Sequence, residues 1–352
     1  MSTTVEEIKK TETSENKKSE LLLDSLEIKG YRCFEHLTIE KLGRVNLIVG
    51  KNNVGKTALL EALSIYASSG NPSEIVQLNL FRDENTVTED SITYLLKQTV
   101  DYDAPRHLFF NRPKSNGQPI KFIIGSHPIN SGKWEDDSVE ITFNYFSRIQ
   151  PSELKTNRIH ENEYPYLFLR FDTITNEVLA ELWDEIILTP DEENISLILR
   201  VIAPNIEKIN FAIYPKGSDE RIPLVKVKEF NEPVPLRSLG EGVHRLLAIA
   251  LSIVNCQGGM LFIDEIEIGL HYSVLPDVWK LIFKTAKDLN VQVFATTHSK
   301  DCVEAFAQIA NENDEKDDGM LIRLERHGEK IVAKTINEDR LAQAVNHDVE
   351  VR

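Results

Sequence analysis

The sequence predicts an α/β fold built on a mostly parallel central sheet, and three observations carry that expectation. The apolar run "VNLIV" leads straight into the glycine-rich "GKNNVGKT" and then into "KTALLEALSIYASS", whose apolar residues recur at helical spacing. Farther on, "GGMLFIDE" and "VQVFATTHS" are two more continuous apolar runs. The amphipathic "VLPDVWKLIFKTAKDL" separates them. Apolar strands alternating with helices belong to a sheet covered on both faces.

The bulk numbers bound the function. A chain of 352 residues, 41% of them hydrophobic, can bury a full core. A formal net charge of −16 excludes a nucleic-acid coat protein, because phosphate contact needs Lys and Arg gathered on one face. A local basic groove stays open, and nucleic acid with it. Cys33, Cys256 and Cys302 are too few and too scattered for a disulfide framework or a zinc site, which fits a reducing interior. Residues 1–20 lack the apolar core of a signal peptide and read as a polar, disordered tail. The longest apolar run, "LLAIALSIV", is far shorter than the roughly 20 residues of a membrane span. The expectation is a soluble cytoplasmic protein with no membrane contact.

Taken in order, "LLLDSLEIKGYRCFEHLTIEKLGRVNLIVG" reads as three short strands, the last of them buried. From about 70 to 190, Pro, Asn and Asp punctuate short β-like runs such as "KFIIG" and "VEITFNYF". That stretch is expected to be an inserted α+β lid subdomain. Residues 191–215 return to helix and then strand, and "PLRSLGEGVHRLL" (235–247) is a small-residue turn that opens an amphipathic helix. "NENDEKDDG" (311–319) reads as a solvated acidic loop, and "MLIRLER" with "EKIVAKTI" as a hairpin before a short terminal helix. No repeat or heptad run is present, which excludes a coiled coil of any length.

Chemistry concentrates in a few strings. Gly50, Lys51, Asn52, Asn53, Val54, Gly55, Lys56 and Thr57 fit G-x-x-x-x-G-K-[ST] between a buried strand and a helix, with Ala58 next on that helix. Glycines let the backbone bend round phosphates, while N–H groups and the helix dipole bind the anion. Lys56 is expected on the β- and γ-phosphates, and the Thr57 hydroxyl on Mg²⁺. Asp264 and Glu265 end an apolar strand, where one carboxylate can hold the metal's shell and the next can take a proton from the attacking water. A strand ending in Asp-Glu is common on its own; the phosphate loop is what gives this one meaning. His298 follows the third strand as a neutral-pH donor toward the γ-phosphate. GTP is disfavoured, because the nearest string to a guanine-reading motif, "TAKD", has the wrong order and lies on an amphipathic helix. ATP and Mg²⁺ are the expected ligands.

Together and in this order, the pieces resemble the ABC-type ATPase heads of the SMC/RecF/OLD group. "LEIKGYRCFEHLTIE" is similar to that group's opening hairpin, "SLGEG" to its signature motif, "MLFIDEIEIGLH" to its Walker B strand and D-loop, and "TTHS" to its histidine switch. The likeness covers roughly 21–66 and 191–305. It implies a P-loop NTPase of the ABC-head type over 21–352, with N-terminal antiparallel β elements and the insertion at about 70–190. It also implies catalytic roles for Glu265 and His298, and metal binding by Thr57 and Asp264. In such heads the signature loop reaches the γ-phosphate of a second copy, so Ser238, Gly240 and Glu241 imply a homodimer or higher homo-oligomer sharing ATP-sandwich sites. Two positions depart from the pattern: Leu239 replaces the first glycine of the signature, and His271 stands where transporter heads carry the D-loop Asp. Gln77 and Gln98 are weak candidates for the Q-loop, and Lys29 and Arg32 for nucleotide contact.

Compact heads of this kind are similar to bacterial phage-defence ATPases, which often carry a TOPRIM nuclease. The residues after 305 are too few for one. The resemblance therefore implies a sensor or scaffold that controls a separate effector, such as a nuclease or toxin. The alternatives are a RecF-like DNA-associated ATPase and a nucleotide-bound adaptor with little turnover. The acidic balance weighs against the former, and the intact Glu265 and His298 against the latter.

Overall fold

The computed structural model describes residues 21–82, 107–112, 119–126, 138–144, 153–158, 164–170, 174–215, 217, 219–312 and 318–346. The tail 1–20, Gln98 and residues 313–317 of the acidic loop lie outside them.

The N-terminal strands are β1 (Leu26–Tyr31), β2 (Phe34–Ile39) and β3 (Val45–Val49). The first two form an antiparallel hairpin, whereas β3 is central to a six-stranded sheet. That sheet runs β14-β13-β3-β12-β11-β7, where β7 is Tyr166–Leu169, β11 Met260–Ile263, β12 Gln292–Thr296, β13 Gly319–His327 and β14 Lys330–Asn337. Its neighbours are all parallel except the β13–β14 hairpin at one edge. The mostly parallel sheet read from the sequence is therefore present, as are the final hairpin and the helix α8 (Glu338–Asn346) after it.

Helices cover both faces, which is why these strands are apolar throughout. Val45, Leu47 and Val49 of β3 face one core with the helices α5 (Glu241–Asn255), α6 (Leu275–Asp288) and α7 (Lys300–Glu312), while Ile48 faces another. In that second core lies α1 (Lys56–Ala67), every residue of which is buried except Thr57. It is sandwiched between the parallel sheet and the antiparallel sheet β2-β1-β4-β5-β6.

The described strands of 70–190 are built into these two sheets. β4 (Ile120–Gly125), β5 (Ser138–Asn144) and β6 (Glu153–Arg158) extend the N-terminal sheet, and β7 is the far edge of the parallel one. The irregular sequence hid this because the large apolar residues these strands bury, Phe122, Ile124, Val139 and Ile141, alternate with partly exposed ones. The remaining elements, α2 (Pro72–Leu80), α3 (Asn176–Asp184), α4 (Pro190–Leu199), β8 (Ile206–Ile213), β9 (Arg221–Val227) and the two-residue β10 (Val234–Pro235), flank the core. Strands β8 to β10 form a small antiparallel sheet of their own. Among the described residues no helix is long and apolar enough to cross a membrane.

Candidate active site

The parallel strands β3, β7, β11 and β12 all deliver their C-terminal ends to one edge, the general position of ligand sites in open α/β sheets. Leaving β3, the chain turns through Gly50 (φ 144°), Asn53 (62°) and Gly55 (97°) before α1 begins. Two glycines are sterically required here. A Cβ at Gly50 would stand 2.5 Å from the Leu324 carbonyl oxygen, and one at Gly55 would stand 2.6 Å from Cys33 Sγ and 2.9 Å from Phe34 Cζ.

Lys56 opens α1 with its side chain folded back over the loop, Nζ donating to the carbonyls of Gly50 (2.9 Å) and Lys51 (3.2 Å). Burial holds its pKa below the ordinary lysine value, although Asp264, Glu265 and Glu267 pull the other way. The next residue, Thr57, donates from Oγ1 to Asp264 Oδ2 at 2.9 Å. Asp264 leaves β11 with its N–H donated to the Leu169 carbonyl (3.1 Å), so the edge strand β7 helps to set its position.

Thr296, at the end of β12, ties the carboxylate loop together. Its hydroxyl donates to Asp264 Oδ1 and accepts the N–H of Glu265 at 2.8 Å. Glu265 sits at φ 53°, an uncommon conformation for a residue with a side chain, and its Oε1 is 3.8 Å from His298 Nε2. The His298 N–H is held in turn by Glu267 Oε1 at 2.8 Å. Asn52, Asn53, Gly55, Lys56, Thr57, Ala58, Asp264, Glu265 and His298 line a single open cleft of about 750 Å³. Val54 is buried beneath the loop, and Gly50 and Lys51 contribute the carbonyls that receive Lys56.

The signature residues are placed apart. Leu236–Leu239 form a 3₁₀ turn and Gly240, at φ 114°, caps the start of α5. Ser238, Gly240 and Glu241 are exposed and do not line the cleft of their own chain. Leu239 packs a half-buried side chain against the core, which accounts for an apolar residue in place of the glycine. The start of α5 packs on the loop after β11: a Cβ at Gly269 would lie 2.2 Å from Arg245 Nε, and one at Gly242 would lie 3.3 Å from the Gly269 carbonyl oxygen. His271 caps the short turn Tyr272–Val274 and packs its ring on Tyr272. Arg32 lines the cleft, whereas Lys29 pairs with Glu27 at 3.0 Å and Gln77 is exposed on α2; neither lines it.

Several participants escape a sequence reading. Thr296 and Glu267 lie inside strings already singled out, but their contacts are tertiary. Glu61, fully buried on α1, meets three guanidiniums: Arg32 Nε and Arg82 Nε at 2.8 Å each and Arg170 Nη2 at 3.1 Å. A charged residue inside the otherwise apolar "ALLEALSI" was the available signal.

A glycine-bent loop between a buried strand and a helix, followed by Lys and Thr and faced by strand-end carboxylates, defines a P-loop nucleotide-binding head. The chain belongs to the AAA ATPase domain family, whose pattern matches residues 22–177 and 169–303. It is 25% identical to an "ATP/GTP phosphatase" of Helicobacter pylori over 89% of this chain and 95% of that protein. It is 29% identical to an "OLD nuclease" of Thermus scotoductus over 32% of this chain and 21% of that one. Among solved structures, an SMC head bound to the C-winged helix domain of ScpA superposes with a TM-score of 0.57 at 13% identity, covering 92% of this chain and 99% of that one. The fold is thus that of an SMC head.

Proposed function

We propose that the protein is an ATP-hydrolysing head that closes as a homodimer around ATP and so controls a separate effector protein, in bacterial anti-phage defence within the cytoplasm. The observation that carries the hydrolytic reading is the convergence of Lys56, the Thr57–Asp264 pair and the Glu265–His298 pair on one cleft. The name of the Helicobacter pylori relative, a phosphatase of ATP and GTP, supports nucleotide hydrolysis. ATP is favoured over GTP because the chain lacks a guanine-reading string. The outward-facing Ser238 and Gly240 support dimerisation, since they have no role toward their own cleft. The nuclease relative and the ScpA-bound SMC head are precedents for an effector and a bound partner.

The residues present suit a magnesium ion. A hydroxyl and a carboxylate 2.9 Å apart are hard oxygen donors, and Mg²⁺ is commonly held by one or two protein groups with phosphate and water completing its shell. Thr57 and Asp264 would hold the ion, which neutralises phosphate charge when bound. The remaining work falls to side chains. Lys56 exchanges the Gly50 and Lys51 carbonyls for the β- and γ-phosphates, and loop N–H groups bind the same oxygens. Glu265 takes a proton from the attacking water, whose oxygen bonds to the γ-phosphorus as the bond to ADP breaks. His298, kept in place by Glu267, donates toward the γ-phosphate.

The test is ATP turnover with magnesium, for the natural chain and for Glu265→Gln. The natural chain should release phosphate. The variant should bind ATP with unchanged affinity, lose about 10²- to 10⁴-fold in turnover, and accumulate as a dimer in sizing chromatography. Turnover of the variant at the natural rate would overturn the role of Glu265.

A further inference from the structure

Strand β13 outruns its neighbour. Its parallel pairing with β3 ends at Arg323, opposite Val49, where β3 gives way to the phosphate loop. Its antiparallel pairing with β14 goes on through Leu324, Glu325 and Arg326 to His327. A two-stranded ribbon therefore stands beside the loop and touches it at two points. The Leu324 carbonyl oxygen is so near Gly50 that a Cβ there would lie 2.5 Å from it, and Arg326 Nη2 donates to the Asn53 carbonyl at 3.0 Å. We infer that Arg326 is a positioning residue of the nucleotide cleft, fixing the Asn53–Val54 peptide in the orientation that binds phosphate. The inference rests on the cleft's taking nucleotide, not on its hydrolysing it.

Peptide geometry is the first argument. Across a trans peptide the carbonyl and the N–H point in opposite directions. A carbonyl turned toward Arg326 therefore turns the Val54 N–H away from it. Asn53 and Gly55, on either side of that N–H, both line the cleft. Lys56 takes the carbonyls of Gly50 and Lys51 at the other end of the loop. Once Lys56 has turned to phosphate it releases them, and Arg326 keeps its hold on the loop.

Backbone conformation is the second. Asn53 sits at φ 62°, a left-handed conformation that asparagine tolerates but that its surroundings must hold. A guanidinium on its carbonyl is such a hold. Loop N–H groups set in place before the nucleotide arrives bind it without a further ordering cost.

The ribbon's own alternation is the third. Successive side chains of a strand point to opposite faces, so Arg326 shares a face with Leu324 and not with Glu325. Leu324 is buried in the core that holds α1. Glu325 meets Arg323 at 3.0 Å, His327 at 3.2 Å and Lys334 at 2.7 Å. The ribbon's carboxylate is thus engaged by other cations on the far face and does not draw Arg326 from the loop.

The experiment compares Arg326→Ala and Arg326→Lys with the natural chain, circular dichroism checking that each folds. Calorimetric titrations use ATP and tripolyphosphate, which offers the phosphates without the nucleoside. Both ligands should bind the alanine variant about five- to tenfold more weakly, the effect of losing one hydrogen bond, and lysine should recover part of the loss. Backbone amide relaxation of the nucleotide-free chain should show lower order parameters at Asn53, Val54 and Gly55 in Arg326→Ala. Equal affinities in the natural and alanine chains would overturn the inference. So would a loss confined to ATP, which would put Arg326 on the nucleoside, or unchanged order parameters, which would leave it no hold on the loop. A natural chain that binds neither ligand would overturn it together with the nucleotide reading, whereas binding without ATP turnover would overturn the hydrolytic reading alone.

Discussion

The Thr57 hydroxyl donates to Asp264 at 2.9 Å across 207 residues of sequence, joining the first turn of α1 to the end of β11. The two side chains form one oxygen donor set and should behave as a unit. Thr57→Val and Asp264→Asn are each expected to weaken magnesium-dependent ATP binding by about 1.5–3 kcal/mol, the range for a hydrogen bond to a charged group. The double variant should lose less than the sum, with a coupling of about 0.5–3 kcal/mol. Fluorescent-ATP titrations with magnesium and with EDTA check this, and EDTA should have little further effect on either variant.

Composite sites can be tested by mixing two inactive chains. Lys56→Ala removes the lysine proposed to hold phosphate. Gly240→Asp puts a side chain where φ is 114° and a carboxylate where a partner's phosphate would lie. Each variant alone should be inactive, and mixtures should regain activity approaching one working site per mixed dimer. Flat ATPase activity over a series of mixing ratios would argue for sites complete within one chain.

Lys56 gives a pH dependence with opposite signs in two measurements. Burial lowers its folded-state pKa beneath the roughly 10.4 of an exposed lysine. Between those values the unfolded chain binds more protons than the folded one, so this group's contribution to stability rises with pH. ATP affinity should fall over the same window, because the deprotonated amine no longer meets phosphate. Lys56→Arg should remove both trends. Parallel denaturant melts and ATP titrations from neutral to alkaline pH read the two slopes.

The loop's glycines should differ sharply from surface ones. At Gly55 a methyl group would meet Cys33 and Phe34 at contact distances no real Cβ shows, at φ 97°. Gly55→Ala should cost about 1–3 kcal/mol from overpacking, with strain in addition. Gly258→Ala also has a positive φ, but nothing lies within 4 Å, so it should cost only the backbone term of about 1–2 kcal/mol. Denaturant midpoints at equal m-values would show the difference.

What could be read in advance was whatever is written locally. The strand–loop–helix of 45–67 and the apolar runs ending in Asp264 and Thr296 are contiguous signals, and the fold followed from them. What stayed hidden depends on pairing at a distance. β7 is a four-residue apolar run too short to mark a strand until it pairs with β11, and only that register puts Arg170 beside Asp264. Glu61 reads as a misplaced charge on an apolar helix until Arg32, Arg82 and Arg170 arrive from three other segments. The signature residues show the reverse case: motif order named them, while the fold sets them outside the cleft of their own chain.

Helix α1 carries Lys56 and Thr57 at its start and Glu61 one turn later, and every residue of it but Thr57 is buried between two sheets. The proposed grip on the nucleotide and the carboxylate that gathers Arg32, Arg82 and Arg170 are therefore successive teeth on one shaft. A turn of this helix that loosens nucleotide should therefore also shift the carboxylate on which three guanidiniums meet.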